Sequence, residues 1–368
     1  MIKGIGLIRK PLQRRIKNIT NYSLKPQELP MTLTIKTLNV NTEKAWDDIV
    51  ISSSHSTIFH TVEWLRLVQN QSIAEFHPLM FYKGTTLIAI YPIFIKKQGP
   101  IKIALSPLSR SYMLYLGPVI ADYESLKQDK KESIYLQVQQ ELDKYIFETK
   151  GCKYARIRSS PGLFDSRPLR WSGYTVEPFY TQRIKLTQGI DYVWKQFNKR
   201  LKDDIHKAER ENVIVRTGKE DDLAFIHDSL YKRYIDQTLK PTDNKKFLLA
   251  LFRKFYADKM KIFVAEYKGQ RVGGCIYLCF KNIMYAWVGV PKTDIAGISP
   301  NDLIHWEAIK FAQTNGLEYF ENMDAGDDLR LRQFKSKYNP SLVIWYSATK
   351  YSSFLYNAGE KLFNIGRK

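Results

Sequence analysis

The spacing of apolar and polar positions changes period several times along the chain, and each change marks an element. An apolar run from Leu79 to Tyr82 stops at Lys83-Gly84, and a longer run rich in β-branched and aromatic residues, Leu87 to Lys96, follows. The arrangement recurs as Ile262 to Tyr267, Lys268-Gly269, then Val272 to Lys281. A glycine in a short connection between two such runs predicts an antiparallel hairpin in each place. In both copies Tyr-Lys-Gly opens the turn, and Lys96 or Lys281 stands twelve residues after the glycine.

A second echo lies downstream of each hairpin. A helical pattern ends at Thr149-Lys150-Gly151 before a strand from Tyr154 to Ile157, and another ends at Thr314-Asn315-Gly316 before Tyr319 and Phe320. Glycine just past the last turn explains both stops, because it takes the left-handed conformation that satisfies the final carbonyls. Two echoes in the same order favour an internal duplication over chance. Each half reads as a strand, helices, a three-strand meander, a long helix, a strand and a closing segment, which is a mixed α/β or α+β architecture. The expected organisation is a basic segment over 1–31, a first domain over 32–188, a second over 189–350 and a basic tail over 351–368. The 368 residues of the chain suit two cores of ordinary size.

Between the halves, Val193, Phe197, Leu201, Ile205 and Ala208 recur at helical spacing among Lys195, Lys199, Arg200, Lys202, Lys207 and Arg210. The spacing predicts one basic amphipathic helix from Asp191 to Glu211, its polar side either a solvated face or a surface for phosphate.

Composition narrows the partners. Lys and Arg outnumber Asp and Glu by 57 to 37, a formal charge of +20, so a polyanion is favoured: RNA, a nucleotide-linked substrate, a phospholipid head group or a membrane surface. Aromatic residues make up 13% of the chain, which argues against extended disorder. Cys275 and Cys279 are four apart in an apolar run, on one face of a strand, and with Cys152 isolated they read as core thiols rather than metal ligands. No run reaches the ~18 apolar residues of a membrane span. A soluble, cytoplasmic protein without a secretory signal is expected. The first twenty residues, punctuated by Arg9, Lys10, Arg14, Arg15 and Lys17, would form a basic tail or a helix lying on the inner face of an anionic membrane.

The run from Ser299 to Ala312 (SPNDLIHWEAIKFA), then Gly316 to Phe320 (GLEYF) and Leu331 to Tyr338 (LRQFKSKY), together with Lys199 to Val213, resembles the FemABX family of aminoacyltransferases. The resemblance covers roughly residues 32 to 350. It implies tandem GNAT-like (N-acetyltransferase-like) domains, and an aminoacyl group moved from aminoacyl-tRNA to an amine of a cell-envelope precursor, with no tightly bound cofactor. The motif Phe334-Lys335-x-x-Tyr338 implies that Lys335 steadies the oxyanion formed when an amine attacks the ester, with Phe334 shielding and orienting it. A preorganised donor at such a place is worth about 2.7–4 kcal/mol.

An attacking ammonium must also lose a proton, which makes Asp122, Asp324 and Glu321 candidate bases. Asp122 follows Leu116-Gly117-Pro118-Val119, similar to a family segment, and equally suits a helix cap; Asp324, beside Gly326 at a strand end, equally suits a turn. Arg233 and Tyr234 resemble a family position that contacts the phosphorylated acceptor, and Tyr285 lies on a strand facing the expected groove. His305 reads as packed rather than catalytic. The chain has neither the coiled-coil insertion of some family members nor a placeable counterpart for its first thirty residues.

Two other functions fit the sequence. A CoA-dependent N-acetyltransferase needs a glycine-rich run of free N–H groups ahead of Asn301, where Gly297 stands between Pro291 and Pro300. A non-enzymatic RNA-binding or membrane-surface protein would explain the charge and the basic ends.

Overall fold

The computed structural model describes residues 33–353 apart from 110, 237–244, 257, 291–294, 296 and 327. The basic segment expected over 1–31, and all but the first three residues of the expected tail, lie outside them. The first half contains β1 (Thr34–Thr37), α1 (Glu43–Ser52), α2 (Val62–Asn70), β2 (Glu75–Lys83), β3 (Thr86–Gln98), β4 (Ile101–Ser106), a short β5 (Val119–Ile120), α3 (Gln128–Asp143), β6 (Tyr154–Arg158), α4 (Arg167–Trp171) and β7 (Thr175–Lys185). Two linking helices follow, α5 (Ile190–Gln196) and α6 (Lys199–Arg210). The second half repeats the order without the short strand: β8 (Ile214–Thr217), α7 (Glu220–Asp236), α8 (Lys245–Phe255), β9 (Met260–Tyr267), β10 (Gln270–Phe280), β11 (Ile283–Gly289), α9 (Pro300–Thr314), β12 (Tyr319–Asp324), α10 (Leu329–Ser336) and β13 (Ser341–Tyr351).

All the strands belong to one sheet, ordered β1-β2-β3-β4-β6-β13-β7-β12-β11-β10-β9-β8, with β5 against β3. The order is a palindrome of the two halves except at its centre, where the closing strands are exchanged. β7 pairs antiparallel with β12 of the second half, and β13 with β6 of the first. The two pair with each other from Ser341↔Arg183 to Thr349↔Thr175.

Strand alternation sorts the core. Met80, Ile90 and Phe94 share one cluster with Ile276, Leu278 and Phe280, covered by α1, α2, α7 and α8. On the opposite face Leu79, Phe81 and Tyr91 pack under α3, while Cys275, Tyr277 and Phe320 pack under α6 and α9. Trp64 of α2 binds the halves together, with Trp287, Phe255 and Phe247 at ring distances of 5.3, 5.8 and 6.3 Å. Lys281, in the turn after β10, also crosses between the halves: its ammonium donates to the Ser53 carbonyl and, at 2.7 Å, to Ser56 Oγ. Burial without a carboxylate lowers that lysine to about 8.

Both expected hairpins are present, β2–β3 and β9–β10. Lys268 and Gly269 carry φ of 50° and 75°, the primed turn that matches strand twist. Gly151 and Gly316 follow their helices at φ of 69° and 75°. One expectation fails: residues 191–211 form two helices rather than one. Phe197 is extended, and the Asn198 side chain accepts from Leu201 N–H at 2.8 Å, starting α6 afresh. The periodicity survives the break because Val193, Phe197, Leu201 and Ile205 still enter the same core. Cys275 and Cys279 are free thiols toward that core, and burial pushes them up to about 12 and 11.

Candidate active site

The parallel strands β11 and β12 pair only from Ile283↔Tyr319 to Tyr285↔Glu321. Beyond that point β12 bulges: Glu321 faces Arg183 and Asp324 faces Thr181, so three residues of β12 advance against two of β7. Met323 takes the bulge at φ 59°. The Met323 and Asp324 carbonyls accept Lys335 Nζ at 3.3 and 2.8 Å. α10 delivers that lysine from its last turn, and its start is fixed by Asp328, whose carboxylate accepts from Arg330 and Leu331 N–H. Burial lowers Lys335 to about 8 against the opposing pull of Asp324 and Glu321. An ammonium has three donors, and two carbonyls leave one for a substrate oxygen.

Glu321 is completely buried beneath this point. It accepts from Thr181 Oγ1 at 2.9 Å, from the Tyr115 hydroxyl, and from Arg183 through Nε at 3.0 Å and a terminal nitrogen at 2.5 Å. Four donors occupy both oxygens, so Glu321 holds the frame and has no lone pair to spare for an incoming proton. Tyr285 is buried near Glu321 and its hydroxyl is raised first by burial, then by that carboxylate. Asp324 keeps a freer carboxylate: Oδ1 accepts the Gly326 N–H at 2.7 Å in a local turn. Asn322, between them, is buried with both side-chain polar atoms unpartnered.

Phe334 and Tyr338 anchor α10. Tyr338 donates to Asp302 Oδ1 at 3.1 Å and Lys337 to its Oδ2 at 2.6 Å, which pairs the buried acid in the first turn of α9. Phe334 meets His305 edge-on at 5.2 Å. The Lys337 ammonium lies over its ring at 5.0 Å. His305 shares a 3.1 Å hydrogen bond with the Tyr277 hydroxyl, and burial, then the Lys335 and Lys337 charges, lower it to about 3. It is a packed, neutral imidazole.

Lys335, Phe334, Asp324, Tyr338 and Tyr285 thus gather around β12. Asp122 lies elsewhere, exposed in a left-handed turn after β5, its carbonyl accepting from Ser125. Arg233 and Tyr234 sit at the far end of α7, Tyr234 exposed. Arg183, Thr181 and Tyr115 had no sequence signal, because each reaches Glu321 from at least 138 positions away. A buried Glu on an apolar strand was the available clue, since such a group demands partners.

The turn before α9 decides how well a pyrophosphate would fit. Pro300 opens the helix, the Ser299 side chain makes no cap bond, and buried Asp302 already places negative charge in the first turn. The Asn301 side chain donates to Val290 carbonyl at 3.1 Å, and Lys207 Nζ lies beside Gly297. In this turn the Ile298 and Asp302 N–H groups donate to the Ile295 and Ser299 carbonyls, and Pro300 has no N–H to offer.

Residues 195–336 match the acetyltransferase (GNAT) domain family. Among solved structures, the chain superposes on FemX with a TM-score of 0.64 at 10% identity, over 84% of this chain and 96% of that one. It superposes on L-PGS from Bacillus licheniformis with a TM-score of 0.54 at 14% identity, over 90% and 99%. A tandem GNAT protein from the clavulanic acid biosynthesis pathway gives 0.50 at 9% identity, over 87% and 99%. No curated protein matches the sequence. The chain has the GNAT fold, and its residues 195–336 match the acetyltransferase domain of that fold. It has the tandem form expected from the sequence, two GNAT-like units sharing one mixed sheet, a fold it shares with FemX. No helix of the described residues is long and apolar enough to cross a membrane, and no cluster among them could hold a metal ion.

Proposed function

We propose that this protein is an acyltransferase that moves an aminoacyl group, carried as an ester on tRNA, to an amine of a cell-envelope precursor or a related glycan or peptide. The observation that carries the reading is Lys335: a half-buried ammonium, fixed on two carbonyls where β11 and β12 part, with one N–H left over. Attack of the acceptor amine forms the C–N bond and places charge on the ester's carbonyl oxygen, which accepts that N–H. The amine's proton passes to Asp324. Collapse of the intermediate breaks the C–O bond, and the proton held by Asp324 passes to the released ribose oxygen.

The donor is argued from charge and from the α9 turn. An excess of twenty positive charges suits a polyanion, while Pro300 and Asp302 disfavour the diphosphate of CoA. FemX and L-PGS, two structural neighbours, add support from fold alone. Binding of charged tRNA, uncharged tRNA and acetyl-CoA at two salt concentrations tests the donor. The reading expects saturable, salt-sensitive binding that prefers charged tRNA; saturable binding of acetyl-CoA with no preference for charged tRNA makes the enzyme an N-acetyltransferase instead.

A further inference from the structure

Where β12 bulges against β7, two side-chain amides stand together on one face of the sheet. The register fixes this: Ile184 pairs with Phe320 and Arg183 with Glu321, and Thr181 next meets Asp324, so Gln182 stands opposite Asn322 and Met323. Phe320 and Ile184 both enter the core under α6 and α9. Arg183 and Thr181 bond Glu321 on the opposite face, where the Tyr115 hydroxyl reaches both Glu321 and Met323. Alternation along both strands therefore turns Gln182 and Asn322 toward the α9 side.

Asn322 is 1% exposed, and its Nδ2 and Oδ1 are both buried without a partner. The Oε1 of half-buried Gln182 is a third such atom, and the two amides do not bond each other. Unpaired groups of this kind cost stability, which a fold tolerates where a ligand completes them. Lys335 sets the place. The carbonyls that hold its ammonium belong to Met323 and Asp324, the residues directly after Asn322. α10, which carries that lysine, packs Phe334 and Tyr338 on the same face as Phe320. β11 leaves β12 after Tyr285↔Glu321, so Asn322 is the first residue of β12 with no partner on that side. The unfilled amides border the opening in which Lys335 keeps one N–H for the substrate.

Their hydrogen-bonding inventory selects a ligand. Gln182 Oε1 and Asn322 Oδ1 are two acceptors, and Asn322 Nδ2 is a donor. Two acceptors call for a group with at least two N–H bonds, which an acetyl group and a secondary amide both lack. The α-amino group of an aminoacyl ester has two or three hydrogens and stands one carbon from the carbonyl that reacts, whose ester oxygens are in reach of a donor beside it. We infer that Asn322 and Gln182 are specificity-determining residues that read the α-amino group of the transferred amino acid. The inference rests on the aminoacyl-transfer reading and deepens it: the enzyme accepts an amino acid with a free α-amine and refuses one whose nitrogen is already acylated.

Binding of bulk tRNA charged with all amino acids, before and after N-acetylation of those amino acids, tests the inference without requiring transfer. Wild type binds the free-amine pool about tenfold or more tightly than the acetylated pool. Asn322→Leu and Gln182→Met, near in size to the native side chains, bind the two pools alike and leave binding of uncharged tRNA unchanged. Asn322→Leu also keeps or gains melting temperature, because no native side-chain hydrogen bond is lost; a clear fall assigns Asn322 to the packing and overturns the inference. Equal binding of the two pools by wild type, or a preference that survives in both variants, overturns it as well. The aminoacyl-transfer reading fails differently: wild type then binds uncharged tRNA as tightly as either charged pool.

Discussion

Arg183 and Glu321 form a two-bonded ion pair between β7, the closing strand of the first half, and β12 of the second. Glu321 is fully buried and lies one strand residue from the bulge that presents carbonyls to Lys335. The strand exchange at the centre of the sheet and the geometry of the site therefore depend on the same contact.

Glu321→Ala leaves Arg183 buried without a counter-charge and is expected to cost about 3–5 kcal/mol. The double variant Arg183→Met/Glu321→Met recovers most of that loss, since an apolar pair needs no compensation. Urea unfolding of wild type, Glu321→Met, Arg183→Met and the double variant gives the cycle. A double variant that loses the sum of the two single losses would show that the charges are not coupled.

The exchanged strands predict that neither half folds alone. Residues 32–188 expressed separately lose β13 from the edge of β6, and residues 189–350 lose β7 from β12, leaving long unpaired edges. Co-expression of the two pieces is expected to restore a soluble 1:1 complex. A sharp thermal transition from either piece by itself would contradict this.

Buried histidines give the protein an acid limit, His55 and His60 as well as His305. His55 Nε2 accepts the Ile120 N–H at 3.2 Å and His60 Nδ1 accepts the Thr57 N–H at 3.1 Å, so each ring is held neutral by a donor aimed at a lone pair. Burial lowers them to about 3 and about 4, with His60 adding to His55 and the Lys281 cation to both. In the unfolded chain each takes a proton near pH 6.5, and in the native state neither does until the lower value. Stability is therefore full above pH ~6.5 and falls as the pH drops toward 4, by several kcal/mol in all. Urea midpoints at pH 7, 6, 5 and 4 measure it; His60→Gln shows a shallower fall, and a flat wild-type profile down to pH 5 would refute the assignment.

Much of the fold was legible because local signals agreed with tertiary ones. The Tyr-Lys-Gly turns, the helix-ending Gly151 and Gly316 and the alternating strands each specify structure within a few residues. The helix break at Asn198 escaped because its apolar positions face one core on both sides of it. Lys335, Asp324 and Tyr338 could be named from a short motif and a strand end. Arg183, Tyr115, Gln182 and Asn322 could not, because their meaning arises only when the two halves lay their strands side by side.

Lys335 predicts a pH limb. Its charge is needed at the oxyanion and its value is lowered to about 8, so kcat/KM should hold below pH 8 and fall about tenfold per unit above it. Lys335→Arg, which stays charged throughout, removes the limb even where it lowers the rate. A limb that persists in this variant belongs to another group.

Single-turnover transfer from aminoacyl-tRNA to an amine acceptor, compared between wild type and Lys335→Ala, tests the central claim most directly. Loss of one oxyanion donor predicts a rate about 10²–10³-fold lower with tRNA affinity unchanged. Equal rates in the two proteins, or transfer from acetyl-CoA but not from aminoacyl-tRNA, would contradict it.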